Sequence, residues 1–159
     1  MATKDEIVNT IQNVQSDIEQ AVSSMPEQAW ATGVYEDGWN ARQILTHMAS
    51  MSGITGFVLN LASAPAGTGS GIGADFNVDD FNRVQIAARE GASPAILVGE
   101  IRASFEKDIS AVRTAPDELI KKHYRTPWEI EGEVGDIIVN SLNDHTGMHL
   151  ADLRSAQTL

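Results

Sequence analysis

The sequence predicts an all-α protein, a four-helix bundle occupying one domain over residues 1–159. Three observations predict it. Apolar residues recur at steps of three and four through most of the chain, as in helices with one buried face. A capping residue stands ahead of nearly every such run, where the free amides of a helix start need an acceptor. No stretch alternates long enough to build a sheet; "WEIEGEV" (128–134) alternates but is short.

The first helix carries Ile7, Ile11, Val14, Ile18, Val22 and Met25 on one stripe, with a Thr3/Glu6 capping box before it and Pro26 at its end. The second opens at "WNARQI", with Asn40 as cap, Gln43 placed to reach back to it, and Trp39 and Ile44 at the positions of a hydrophobic staple. Its stripe runs Ile44, His47 or Met48, Met51, Ile54, Val58 and Leu61, and stops before the glycine-rich "SAPAGTGSGIGA". A shorter helix follows. Asn77 is its cap, Phe76 and Phe81 its staple and Asp80 its box residue; it runs to about Glu90 and ends at Gly91. The next helix has Ser93 as cap and Pro94 at its first position, with a stripe of Leu97, Ile101, Ser104 or Phe105, Asp108 or Ile109, and Val112. A charged, proline-containing connection, residues 114–133, leads to a last helix over 134–156. There is no internal repeat and no domain linker.

Composition narrows the function. Apolar content of 42% excludes a disordered chain. With no cysteine, disulfides, thiolate metal sites and cysteine nucleophiles are excluded, so any thiol chemistry needs an external thiol. A formal charge of -11 and no basic run argue against nucleic acid. No apolar run of membrane-spanning length and no signal peptide is read, so a cytoplasmic protein is expected.

The histidines carry the chemistry. On the last helix Val134, Ile138, Ser141 or Leu142, His145, Met148 or His149, and Asp152 share a stripe. His145 and His149 therefore lie one turn apart on the buried face. His47 lies on the apolar stripe of the second helix. One inward histidine is ordinarily a hydrogen-bonded core residue. Three on two helices leave many ring nitrogens to satisfy, and a divalent metal shared by His47, His145 and His149 satisfies one on each. Three neutral nitrogen ligands leave coordination positions open, as catalytic sites do; zinc fits, and nickel and iron also accept imidazole. Asp152 reads either as a residue orienting His149 or, preferably, as a solvated helix-end acid. Asp144 should point away, and His123 reads as a surface residue.

Other signals are weaker. "GSGIGA" lacks the preceding strand of a dinucleotide loop and reads as a linker, able to act as a lid. "DFNVDD" lacks the glycine and final glutamate of a calcium loop. Trp30, Trp39 and Trp128 read as packing or interface residues. No serine stands in a nucleophile elbow.

"DGWNARQILTHMASMSG" resembles the second-helix signature of DinB-like (YfiT-like) bundle proteins, and "LNDHTGMHLADL" their final H-x3-H signature. "VDDFNRVQIAAREGASPAILVGEIRASFEKDI" is similar to the N-terminal domain of mycothiol-dependent maleylpyruvate isomerases, a branch of the same superfamily. The resemblance implies an up-down-down-up bundle with one extra short helix, often a homodimer. It also implies a core metal on His47, His145 and His149, and a small-molecule substrate that Asn82 contacts, although from the residues alone Asn82 reads preferably as an exposed helix residue. The function it implies is a thiol-dependent transferase or isomerase, or a hydrolase, acting on a small electrophile with mycothiol, bacillithiol or glutathione. The alternative is a non-catalytic dimeric bundle that binds a metal or small ligand in a stress response. No further domain is read after the bundle, so maleylpyruvate itself is not the expected substrate.

Overall fold

Helix α1 (Lys4–Ser23) starts where its capping box says it should: Thr3 Oγ1 accepts from the Glu6 amide and the Glu6 carboxylate accepts from the Thr3 amide. Ile7, Ile11 and Ile18 on its apolar stripe are sealed in the core. The computed structural model describes residues 1–35 and 38–158. A 3-10 turn over Glu27–Ala31 leads through a loop to α2 (Ala41–Met51), whose Asn40/Gln43 box is also formed.

The second helix is not the single rod the sequence predicts. It breaks at Ser52–Gly53 and resumes as α3 (Ile54–Ser63). Ser52 turns back on Ala49 O with both its amide and its hydroxyl, an insertion of the kind that kinks helices. The Gly56 amide near the restart is accepted by Asp108 Oδ1 from another helix at 3.0 Å.

Helix α4 (Val78–Ala88) has its predicted Asn77 cap, and the Phe76 and Phe81 rings meet at 5.8 Å. The return half of the box does not form. Asp80, shorter than glutamate, pairs with Arg83 instead. This helix has no buried residue and packs on α2 outside the core; it is the extra short helix. Helix α5 (Pro94–Thr114) is capped by Ser93 and buries Leu97, Ile101, Phe105, Asp108 and Val112.

The connection after α5 is more ordered than the sequence suggests. It holds one helical turn, α6 (Asp117–Ile120), and an antiparallel hairpin of β1 (His123–Arg125) and β2 (Glu131–Glu133). Strand β2 lies within the short alternating stretch "WEIEGEV", and β1 carries no such pattern. The last helix begins as α7 (Val134–Ser141), widens into a π turn over Leu142–Thr146 and finishes as α8 (Gly147–Ala156).

Six side-chain contacts and the packing of two helix pairs fix the topology. Ala2 N donates to Asp136 and Gln157 donates to Ala21 O, so α1 runs parallel to α7–α8. Lys4 pairs with Asp117 and Glu19 with Arg102, so α1 opposes α5. Arg42 meets Ala92 and Gly56 meets Asp108, so α2–α3 runs with α5. Contacts of α2 with α8 and of α3 with α7 make α2–α3 antiparallel to the last helix. The order is up-down-down-up. Both α1 and α2–α3 touch α5 and α7–α8, so α1 and α2–α3 lie across the diagonal.

One exclusion is corrected. The stretch Ala41–Ser63, α2 through α3, is long and apolar enough to cross a membrane by length and composition. It is a core helix of the bundle, packed against α5 and the last helix with α4 over its outer side, which makes it apolar on most sides.

Candidate metal centre

Three ring nitrogens, one each from His47, His145 and His149, lie within 4.8 Å of one another. His47 comes from the middle of α2, His145 from the π turn and His149 from the first turn of α8. The antiparallel packing of α2 on α8 faces the two elements at this level. A single π turn is rare and recurs at functional sites; here it carries His145. At the position left open as Met148 or His149, His149 turns inward, 1% exposed, while Met148 is 44% exposed.

His47 Nε2 stands 3.1 Å from His145 Nε2. The rings of His145 and His149 meet edge to face with centroids 4.7 Å apart, and those of His47 and His149 at 4.8 Å. Burial pushes the His47 imidazole down to about 3, with the nearby His149 and His145 adding to the effect. Burial, then His145, brings His149 down to about 4, and burial lowers His145 as well. All three rings are therefore neutral at pH 7, the form in which imidazole binds a metal.

The residues fit a divalent transition metal. Two ligands on a tetrahedral ion with bonds of 2.0–2.1 Å sit about 3.3 Å apart, close to the 3.1 Å between His47 and His145. His149 Nε2 is buried and has no hydrogen-bond partner among the described residues, an arrangement that costs free energy unless something accepts that nitrogen. The other His149 nitrogen, Nδ1, lies 3.4 Å from Asp152 Oδ2. Asp152 is one-fifth exposed and its pKa is raised by burial. It is partly exposed, as the sequence reading preferred, and its carboxylate also lies beside His149 Nδ1.

An aromatic wall closes one side. Trp39 lies on His47, with centroids 5.2 Å apart; Tyr35 lies 5.8 Å from His149, and the two aromatics stack at 5.5 Å. The Trp39 carbonyl accepts from the Val34 amide, and an isolated bridge joins Gly33 to Asn40. The sequence reads Trp39 as a packing or interface residue and gives no signal for Tyr35, which sits in a loop with no period to flag it. Asn82 is half-buried on α4, with its Oδ1 buried and unpaired among the described residues. His123 is exposed and bonded to Glu131 on the hairpin, far in sequence and element from the triad. Asp144 is exposed, as expected. A cleft between α2 and α4 is lined by Trp39 and Thr46 but by none of the three histidines.

Comparisons with known proteins agree with this architecture. Over 98% of its length the chain superposes on YfiT from Bacillus subtilis, with a TM-score of 0.73 and 18% identity, covering 86% of that chain. YfiT is described as a probable metal-dependent hydrolase with an unusual four-helix bundle topology. A second similar structure is a histidine-to-alanine mutant of a mycothiol-dependent maleylpyruvate isomerase, with a TM-score of 0.72 and 13% identity over 96% of this chain. This chain spans 63% of that isomerase. No curated protein matches the sequence. Residues 12–154 match the family described as the mycothiol maleylpyruvate isomerase N-terminal domain, and the chain belongs to that family.

Proposed function

We propose that the chain is a divalent-metal-dependent enzyme with His47, His145 and His149 as metal ligands. It would be a thiol-dependent transferase or isomerase, or a hydrolase, acting on a small electrophile. The observation that carries this reading is the convergence of three neutral imidazoles, two buried and one half-buried, from two antiparallel helices. The names of the two similar structures support it: one a probable metal-dependent hydrolase, the other a mycothiol-dependent isomerase.

A divalent ion on three imidazoles supplies Lewis acidity that favours the ionised form of water or a thiol at neutral pH. The chain's own residues do the rest. The three histidines hold the site uncharged. Asp152 fixes the orientation of His149, and Trp39 and Tyr35 keep bulk water from one side. Because the chain has no cysteine, a thiol nucleophile would be a free low-molecular-weight one.

The test is elemental analysis of protein purified without chelator, beside His149→Ala. About one zinc, nickel or iron per wild-type chain is expected, and none in the variant. Unchanged stoichiometry in the variant removes the triad. Metal-loaded and chelated protein are then compared with mycothiol, bacillithiol, glutathione or no thiol against a panel of small electrophiles. Turnover that disappears on chelation and returns with metal is expected; metal binding without turnover leaves a binding module instead.

A further inference from the structure

Beside the histidines, α2 and α4 face each other across a cleft of about 540 Å³. Trp39, Arg42 and Thr46 line one side and Arg83, Ile86 and Arg89 the other. Trp39 belongs to both places, because its ring also lies 5.2 Å from that of His47.

The three arginines are not equivalent. Arg89 is fully engaged: Nε and Nη2 grip Glu100, and Nη1 donates to Gln85. It fastens the end of α4 to α5. Arg83 is mostly exposed and pairs with Asp80 along its own helix, a surface pair weak enough to exchange. Arg42 is half-buried and, among the described residues, held by one bond, from Nη1 to Ala92 O at 3.1 Å. No carboxylate among the described residues is bonded to it. A guanidinium fixed through one nitrogen keeps its remaining N–H donors in a rigid frame suited to a carboxylate.

Charge and surface then limit the ligand. Asp79 and Glu90 also line the cleft. They leave its charge near balance and, in a chain of net charge -11, disfavour a multiply charged anion. A single carboxylate gains the Arg42 fork without meeting that penalty in full. Trp39, Ile86 and Ala87 offer apolar surface to the rest of the molecule.

We infer that the α2–α4 cleft binds a small organic monocarboxylate, its carboxylate on Arg42 with Arg83 assisting and its apolar body against Trp39 and Ile86. The inference rests on the proposed function for one point: Trp39 is shared between the cleft and the histidine cluster, so the carboxylate held in the cleft is assigned to the substrate or its thiol partner.

The test is titration of as-purified protein with sodium benzoate, without thiol or electrophile, followed by tryptophan emission and amide chemical shifts. Saturable binding is expected. Arg42→Gln should weaken it roughly tenfold, the loss of one charge-assisted contact, and Arg83→Gln less. Arg113→Gln, in the last turn of α5 outside the cleft, should leave it unchanged. Benzamide, the neutral analogue, should bind at least tenfold more weakly than benzoate. Because Arg42 also braces Ala92, thermal unfolding is checked for each variant; Arg42→Lys, which keeps the charge, should recover part of the affinity. The inference is overturned by any of four outcomes: no saturable benzoate binding, equal affinity for benzamide, preference for benzylamine, or an unaffected Arg42→Gln. Loss of cleft binding with metal content intact sinks this inference alone. Loss of the metal in wild type with benzoate binding intact sinks the proposed function alone.

Discussion

His47 Nε2 and His145 Nε2 lie 3.1 Å apart although 98 positions separate them in the chain. Two neutral imidazoles at that distance either share a hydrogen bond or share an ion, and the two cases respond differently to added metal. If they share an ion, zinc at about 100 times its dissociation constant should stabilise the fold by about 2.7 kcal/mol. His47→Ala and His145→Ala should each lose that increment. Thermal unfolding with and without zinc measures it, and an increment retained in either variant rules that residue out as a ligand.

Asp152 acts on the site through His149, across 3.4 Å. Asp152→Asn should keep metal stoichiometry at saturation but weaken affinity by about tenfold, as loss of a carboxylate behind a ligating imidazole does. Competition with a chromophoric chelator gives the number. Equal affinity would mean that packing alone fixes the His149 ring.

Trp39 is the tryptophan that touches the triad, with its centroid 5.2 Å from that of His47. Nickel or copper binding should therefore quench tryptophan emission saturably. Trp39→Phe should abolish most of the quench. Trp128→Phe should not, since Trp128 stacks on Phe57. A quench surviving Trp39→Phe would place the ion elsewhere.

Asp108 gives the fold a pH dependence separate from the site. Burial pushes its pKa from 3.8 up to about 6, against the hydrogen bond from the Gly56 amide and the nearby Thr55, which favour the charged form. The folded state therefore holds this proton more tightly than the unfolded state does. Asp108's contribution to stability is best below about pH 4 and declines as pH rises toward about 6, then stays flat. Asp108→Asn keeps an acceptor for Gly56 and removes the buried charge. At pH 7.5 it should be more stable than wild type by on the order of 2 kcal/mol, with the gap closing near pH 4. Urea midpoints at the two pH values decide it, and a gap independent of pH would assign the effect to packing.

Glu129 occupies the left-handed region with φ 73° in the hairpin turn, a conformation that costs a side chain energy and suits glycine. Its ion pair with Arg125 is exposed and worth little. Glu129→Gly should raise stability by about 0.5 kcal/mol, read as a higher urea midpoint with an unchanged slope. A lower midpoint would show that the Arg125 pair outweighs the backbone relief.

What could be read from sequence was local. Thr3, Asn40, Asn77 and Ser93 all cap the helices they precede, because a cap depends on residues three positions apart. The three histidines were legible because they interrupt apolar stripes. What escaped depended on distant partners. The choice of Asp108 over Ile109 as the inward residue turns on a Gly56 amide in another helix. The break at Ser52–Gly53 and the π turn at Leu142–Thr146 leave hydrophobic spacing almost unchanged, so periodicity cannot reveal them. Tyr35 reaches His149 only because its loop folds back beside α2.

The site is complete only when α2 and the last helix lie side by side. The first three long helices can collapse as the chain emerges, but His47 then faces an unfilled groove. Only docking of the final helix brings His145 and His149 opposite it. Ligand capture would thus report that the carboxyl-terminal helix is home, and a cation added during refolding should accelerate no step before the last.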